Sequence, residues 1–162
     1  MSDPRVRRVR EEDVPAVVEL VRELAEYERA RDECHLTADQ LRDALFRPEP
    51  ALFGHVAEVD GRVVGMALWF LNFSTWRGTH GVYLEDLYVQ PGRRGDGLGK
   101  ALLRALAREC VERGYARLEW SVLDWNSPAI GFYRSLGAVP MDEWTVFRLT
   151  DEALGLLADV AG

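Results

Sequence analysis

Hydrophobic positions along this chain change their period several times, and each change marks an element. Val14, Val17, Val18, Val21, Leu24 and Ala25 recur at helical spacing while Glu19, Arg22, Glu23 and Glu26 fill the opposite positions, so one face of this segment packs inward. Glu11-Glu12-Asp13 offers an N-cap and an acidic first turn, and Pro15 is tolerated there, which predicts a helix from near Asp13 to Tyr27 or Glu28. Thr37 with Gln40 has the form of a capping box and opens a second short helix on Leu41, Ala44 and Leu45. Arg5 to Arg10 reads as a first strand. From Leu52 the period changes, and Phe53 to Val59 and Arg62 to Phe73 read as strands around Asp60-Gly61, a two-residue hairpin signal.

Val82 to Val89 alternates β-favouring residues with the carboxylates Glu85 and Asp86 and runs into a glycine-rich turn. Beyond it, Leu98, Ala101, Leu102, Leu103, Ala105, Leu106 and Cys110 form an apolar helical face that Gly114 closes as a C-terminal cap. Ala116 to Val122 reads as a strand, Ser127 to Leu136 as a short helix entered through Pro128 and left at Gly137, Thr145 to Leu149 as a last strand, and Asp151 to Asp159 as a closing helix. Strands before and after helices, with a hairpin between, imply an α/β (α+β) fold with one mixed, partly parallel sheet.

A length of 162 residues with 48% hydrophobic content suits one core, so one domain over residues 1–162 is expected. No apolar stretch approaches the ~20 residues of a membrane span, and Met1-Ser2-Asp3-Pro4-Arg5 lacks the apolar core of a secretory signal. A cytoplasmic location without a membrane partner is the expectation. Cys34 and Cys110 are the only cysteines, and with His35, His55 and His80 scattered they make no disulfide or metal framework, so no metal is expected. The formal charge of −7 repels nucleic acid and attracts cations. That field suits an amine substrate, although acidity also simply keeps a protein in solution.

Arg93-Arg94-Gly95-Asp96-Gly97-Leu98-Gly99-Lys100 joins a strand to the start of the strongest helix. Glycines there let consecutive backbone N–H groups point at an anion, which the helix dipole also favours, so a phosphate or pyrophosphate is the natural guest. A nucleotide-hydrolysing loop would need glycine at Arg94 and Ser or Thr at Ala101, and a dinucleotide fingerprint would need glycine or alanine at Lys100. Arg94-x-x-Gly97-x-Gly99 instead matches the coenzyme A pyrophosphate signature of the GNAT superfamily. A turn that merely lets strand and helix pack is the competing reading.

Leu24-Ala25-Glu26-Tyr27-Glu28, Tyr83 to Val89, the glycine turn, Asp124-Trp125-Asn126 and Phe132-Tyr133-x-x-x-Gly137-Ala138 together resemble the spermidine/spermine (diamine) N-acetyltransferases over roughly residues 5 to 150. Ser74-Thr75-Trp76-Arg77-Gly78 and Leu123-Asp124-Trp125-Asn126 are closer to the thialysine N-acetyltransferase branch. The resemblance implies a sheet whose central strand splays from its parallel neighbour to admit acetyl-CoA. It assigns the exposed backbone of Leu87, Tyr88 and Val89 to the pantetheine, and Arg94, Gly95, Asp96, Gly97, Leu98, Gly99 and Lys100 to the pyrophosphate. Asn126, Ser127, Pro128 and Ala129 would line the far wall of the slot.

An ammonium with a pKa near ~10.4 must lose a proton before it attacks a thioester, and the thiolate must gain one. By resemblance Glu85 assists the first step through a water and Tyr133 is the general acid. Along a strand successive side chains alternate faces, so only one of Glu85 and Asp86 should face the amine directly; an acidic pair on a strand is also often an exposed edge. Tyr27, Glu28, Trp76, Glu85, Asp86, Glu119 and Asp142 are candidates to enclose the cation. Ser74 stands where the polyamine branch carries Asp, and the stretch from Tyr133 to Trp144 is shorter, which argues against long polyamines. The implied protein is a homodimeric acetyltransferase of a diamine, polyamine or lysine-like amine. Acetylation of a protein or peptide amine is the alternative on the same fold, and a non-catalytic CoA-binding regulatory module is the alternative of another class.

Overall fold

The computed structural model describes residues 2–159. The chain divides into two compact units, Met1–Leu123 and Asp124–Gly162. The first contains strands β1 (Val6–Arg8), β2 (Phe53–Val59), β3 (Arg62–Ser74), β4 (Thr79–Val89) and β5 (Leu118–Trp120), with helices α1 (Val14–Tyr27), α2 (Ala38–Phe46) and α3 (Leu98–Arg113). The strands lie in the order β1-β2-β3-β4-β5. All pairings are antiparallel except the last, so the sheet is mixed.

Local chemistry accounts for most boundaries. Gln40 N donates to Thr37 Oγ1 at 3.2 Å and Thr37 N to Gln40 Oε1 at 3.0 Å, the reciprocal cap that starts α2. Asp60 and Gly61 take φ of 53° and 76°, the left-handed pair that a tight β2–β3 hairpin requires. Asp13 departs from its expected role, because its side chain makes no cap bond to α1. It is buried, and its carboxylate instead accepts from Arg7 at 2.7 and 3.0 Å and from Arg10 N at 2.7 Å.

Val14, Val17, Val18 and Leu20 of α1 and Leu41 and Leu45 of α2 pack with Val56, Met66, Leu68 and Tyr88 on one sheet face. Each such fully buried aliphatic contributes about 1.5–3 kcal/mol of transfer free energy. Helix α3 covers the other face: its Glu109 lies 3.8 Å from His55 Nε2, and His55 is the strand neighbour of Val56 and so points the opposite way. Gly114 closes α3 at φ 73°, with Tyr115 N donating to Cys110 O at 2.8 Å.

Two irregularities shape β4. Leu68 pairs with Asp86 but Trp69 pairs with Leu84, so Glu85 is an extra residue, a β-bulge. On its other side β4 pairs with β5 only at Val82↔Leu118, Tyr83↔Glu119 and Leu84↔Trp120. Beyond Trp120 the chain leaves the strand, and Glu85 to Val89 have β3 on one side and no strand among the described residues on the other. Strands β1 and β5 are accordingly shorter than the expected Arg5 to Arg10 and Ala116 to Val122.

In the second unit, α4 (Ser127–Ser135) begins where Asn126 Oδ1 accepts from Ala129 N at 3.4 Å. Gly137, at φ 92°, lies just past its end, and α5 spans Asp151–Leu157. The expected strand from Thr145 to Leu149 is not formed; the segment is irregular, with Val146 82% and Phe147 92% exposed. Its β-favouring composition gives no strand because no neighbouring backbone pairs with it among the described residues.

Candidate active site

The glycine turn opens toward free space. Gly95 and Gly97 have φ of +96° and +77°, and Gly97 is the left-handed cap from which α3 starts. A Cβ added at Gly95, Gly97 or Gly99 would meet no atom within 4 Å, so strand–helix packing does not account for these glycines. Ala101 N donates to Gly97 O at 3.0 Å, which leaves the N–H groups of Leu98, Gly99 and Lys100 ahead of the helical ladder, and no side chain caps them. Leu98, 1% exposed, anchors the turn, and Arg5 Nη1 donates to Asp96 O at 3.1 Å. Orphan donors, a helix N-terminus and glycines facing empty space fit a pyrophosphate.

Arg94 ties this turn to the strand edge. Its guanidinium lies 5.2 Å from the Tyr27 ring centroid and 5.8 Å from that of Tyr88, and its Nε donates to Val89 O at 3.3 Å. Gln90 N donates to Val64 O on β3, so by strand alternation the peptide groups of Leu87 and Val89 face the edge that β5 leaves uncovered. Tyr88 is buried, its hydroxyl donating to Glu23 Oε1 at 3.4 Å, and Gln90 Nε2 donates to Glu23 Oε2 at 3.2 Å. Burial, and then the Glu23 charge, raise the Tyr88 phenol above its ordinary pKa.

The bulge decides how the acidic pair is presented. Leu84 pairs with Trp69 on the α3 side, and Asp86 pairs with Leu68 on the α1 side, so two residues that regular alternation would place on one face lie on opposite faces. Glu85, between them, is exposed. Asp86 is half-buried, and burial, followed by the charges of Glu85 and Glu28, pushes its pKa up from 3.8 to about 6. No described residue gives the Asp86 carboxylate a cation or a hydrogen bond. The charges that act on this carboxylate are those of Glu85 and Glu28, both of its own sign.

The same sheet face continues toward β5. Phe70 and Tyr83 are paired with ring centroids 5.1 Å apart, and Tyr83 Oη lies 2.7 Å from Ser121 Oγ. Glu119 Oε1 accepts from Asn72 Nδ2 at 3.2 Å and lies 3.6 Å from Arg117 Nε. Within the first unit, then, Tyr27, Tyr88 and Arg94 gather at the turn, Glu85, Asp86 and Glu28 gather electrostatically at the bulge, and Glu119 shares their face. Trp76 stands apart in the β3–β4 turn, 90% exposed. Asn126, Ser127, Pro128, Ala129, Tyr133 and Asp142 belong to the second unit, where Asn126 caps α4, Tyr133 lies half-buried on it beside Phe132 at 5.6 Å, and Asp142 is exposed.

Sequence reasoning missed Glu23, Asn72, Tyr83, Arg117 and Ser121. Only the alternation of Arg117 and Glu119 carried a signal; the rest depends on strand order. Among the described residues there is no group of three or more His, Cys, Asp or Glu that could hold a metal, and no helix long and apolar enough to cross a membrane.

Known proteins resemble this chain in sequence and fold. The Acetyltransferase (GNAT) family model matches residues 15–138. A thialysine N-epsilon-acetyltransferase of Bos taurus is 36% identical over 169 aligned positions, covering 98% of this chain and 99% of that protein. An L-ornithine N5-acetyltransferase of Arabidopsis thaliana is 42% identical over 92 positions, covering 57% of this chain and 40% of that protein. Among solved structures, an integron cassette protein from the mobile metagenome of V. cholerae superposes with a TM-score of 0.79 at 25% identity, covering 94% of this chain and 96% of that one. A glycine turn at a helix N-terminus beside an uncovered strand edge is thus accompanied by a family match that runs through both units: the chain belongs to the GNAT family and is an N-acetyltransferase.

Proposed function

We propose that the chain transfers an acetyl group from acetyl-CoA to the primary amine of a small cationic molecule, a diamine, a polyamine or a lysine-like amino acid. The observation that carries this reading is Asp86, half-buried among like charges on the strand whose uncovered edge leads to the glycine turn. When bound, the coenzyme supplies a thioester carbonyl open to attack. The backbone N–H groups of Leu98, Gly99 and Lys100, with Gly95, Asp96, Gly97 and Arg94, hold its pyrophosphate, and the peptide groups beside Leu87, Tyr88 and Val89 hold its amide arm. Asp86, Glu28, Tyr27 and Glu119 attract and enclose the ammonium, whereas Trp76, in the β3–β4 turn, is remote from them. Glu85 takes the first amine proton through a water, the neutral nitrogen bonds the acetyl carbon, the C–S bond breaks, and Tyr133 protonates the leaving thiolate. The second proton, which the nitrogen sheds on becoming an amide, restores the Tyr133 phenol through solvent.

The roles of Tyr133, of Asn126, Ser127, Pro128 and Ala129 along the coenzyme, and of residues 1–162 as one catalytic domain rest on the family resemblance. So do a homodimeric state and a cytoplasmic location. The test is release of free thiol from acetyl-CoA with spermidine, putrescine, thialysine, lysine and simple monoamines, each against a peptide bearing a free amine. Turnover with a small diamine or lysine-like amine above that with the peptide is expected. Faster turnover of the peptide would make it the substrate class, and coenzyme binding without thiol release on any amine would leave a binding module.

A further inference from the structure

A β-turn just ahead of β1 reaches the glycine turn across 91 positions of sequence. Asp3-Pro4-Arg5-Val6 has the composition of such a turn, with aspartate first and proline second. Val6 N donates to Asp3 O at 3.1 Å and Arg5 N to Asp3 Oδ1 at 3.0 Å, so the turn closes through its backbone and through the Asp3 side chain. Glu58 N donates to Arg5 O at 2.8 Å, which ties the end of the turn to β2. The Arg5 side chain is fixed as well. Its Nε donates to Asp3 Oδ1 at 3.0 Å and its Nη2 to Asp3 Oδ2 at 2.7 Å, a two-point grip that sets the plane of the guanidinium. The third nitrogen, Nη1, donates to Asp96 O at 3.1 Å. Hydrogen bonds from Arg5 hold the Asp3 carboxyl down from 3.8 to about 2, so it is ionised, and the grip intact, at neutral pH.

Asp96 lies between Gly95 and Gly97, which take φ of +96° and +77°. Glycine adopts either sign of φ with little cost, so the peptide that joins Asp96 to Gly97 can turn over easily. The Asp96 carbonyl and the Gly97 N–H belong to one planar trans peptide and point in opposite directions. Drawing the carbonyl to Arg5 therefore aims the Gly97 N–H away from β1 and sets Gly97 as the left-handed cap from which the Leu98, Gly99 and Lys100 N–H groups follow. The reversed peptide would offer an anion an acceptor in place of a donor. Asp3 and Asp96 both act on the Arg5 charge, so this residue brings no net positive charge to the turn. What it brings is geometry.

We propose that Arg5, gripped by Asp3, is a positioning residue of the coenzyme turn, holding the Asp96–Gly97 peptide in the orientation that receives a diphosphate. The inference rests on the glycine turn as the acetyl-CoA site and adds to it two residues outside the turn and its motif. An exposed hydrogen bond is weak, but the two orientations of a peptide between glycines differ little, so a weak bond is enough to decide between them.

The experiment measures acetyl-CoA binding by titration calorimetry, together with kcat and both KM values for an amine that the wild type accepts. Apparent affinity falls with the fraction of turns in the receptive orientation. Arg5→Met should weaken acetyl-CoA binding about five- to tenfold, while kcat at saturating acetyl-CoA and KM for the amine stay within about twofold. Arg5→Lys keeps the charge but has one nitrogen in place of the fork, and it should recover little of the loss. Asp3→Asn keeps the turn acceptor but drops the charge and one point of the grip, and binding should weaken about two- to threefold. A direct charge effect gives the reverse: Asp3→Asn, with one negative charge fewer near the diphosphate, would bind more tightly, and Arg5→Lys would bind as wild type does. Either result overturns the proposal. So does an Arg5→Met protein with wild-type affinity and a lower urea midpoint, because the bond to Asp96 would then only fasten the start of β1. A wild type that binds no acetyl-CoA overturns the coenzyme site itself, and the proposal with it.

Discussion

The two faces of β3 each meet a poorly solvated titratable side chain, and the protein treats the two in opposite ways. On the α3 side, His55 is buried beside Trp69, whose Nε1 donates to His55 Nδ1 at 3.1 Å, so that the ring proton sits on Nε2, facing Glu109 at 3.8 Å. Arg8 stacks 5.2 Å over Trp69 and pairs with Glu109, which Arg113 also holds at 2.9 Å. Burial, then the Arg8 charge, lowers the His55 pKa to about 4 against the opposing pull of Glu109, and the imidazole stays neutral at pH 7. Asp86, on the α1 side, has burial and two carboxylates for company and neither a cation nor a donor. A strongly shifted pKa alone does not separate the two residues. The partners do: His55 Nδ1 accepts from Trp69 and its Nε2 faces Glu109, whereas Asp86 has neither a donor nor a cation beside it among the described residues.

The largest effects should come from the unsatisfied side. Glu85→Gln is expected to lower kcat about a hundredfold, the usual worth of general-base assistance. Asp86→Asn should lower kcat/KM by about 10- to 100-fold, carried mainly by KM, because a charge-assisted contact to the ammonium is lost. Steady-state kinetics with a saturating coenzyme separates the two. Were both variants to stay within twofold of wild type, the carboxylates at the bulge would be ordinary surface and the contrast with His55 would carry no functional meaning.

The satisfied side should respond in stability. His55→Ala removes the acceptor of a buried indole N–H and opens a cavity beneath α3, at a cost of about 3 kcal/mol. Urea unfolding should show a lower midpoint, while kcat/KM of the folded variant stays within twofold. A variant that unfolds at the wild-type midpoint but has lost activity would assign chemistry to the α3 face.

Local signals made one part of this arrangement readable from residues alone. The Asp60-Gly61 hairpin, the Thr37–Gln40 capping box, the Gly114 terminus and the glycine turn that opens α3 each depend on neighbours within a few positions, and each appears where expected. The bulge does not work that way. Alternation shows that Glu85 and Asp86 differ in face, but which residue of β4 is the extra one follows from its register against β3. The bond from Asn72 to Glu119 likewise needs the order β3-β4-β5, which hydrophobic period does not encode. Thr145 to Leu149 carries a strand-like composition that structure leaves unpaired, because strand formation depends on a neighbour as much as on propensity.

The smallest effect, and the one that joins both faces, is the dependence of stability on pH. His55 has a folded pKa of about 4 below its ordinary 6.5, so its contribution is complete above pH 6.5 and is lost as pH falls toward 4. Asp86 has a folded pKa of about 6 above its ordinary 3.8, so its contribution is complete below pH 3.8 and is lost as pH rises through 6. Between about pH 4 and 6 the two slopes oppose each other and flatten the wild-type curve. Asp86→Asn removes one of them: the variant should be more stable than wild type at pH 7 by about 1–2 kcal/mol, and that gain should vanish near pH 4. Urea midpoints taken at half-unit intervals from pH 4 to 8 would show it. A variant that loses activity while gaining stability at neutral pH has given up a group held for a ligand; one that loses both would mean that Asp86 has a partner within the fold, and the two faces of β3 would then be alike.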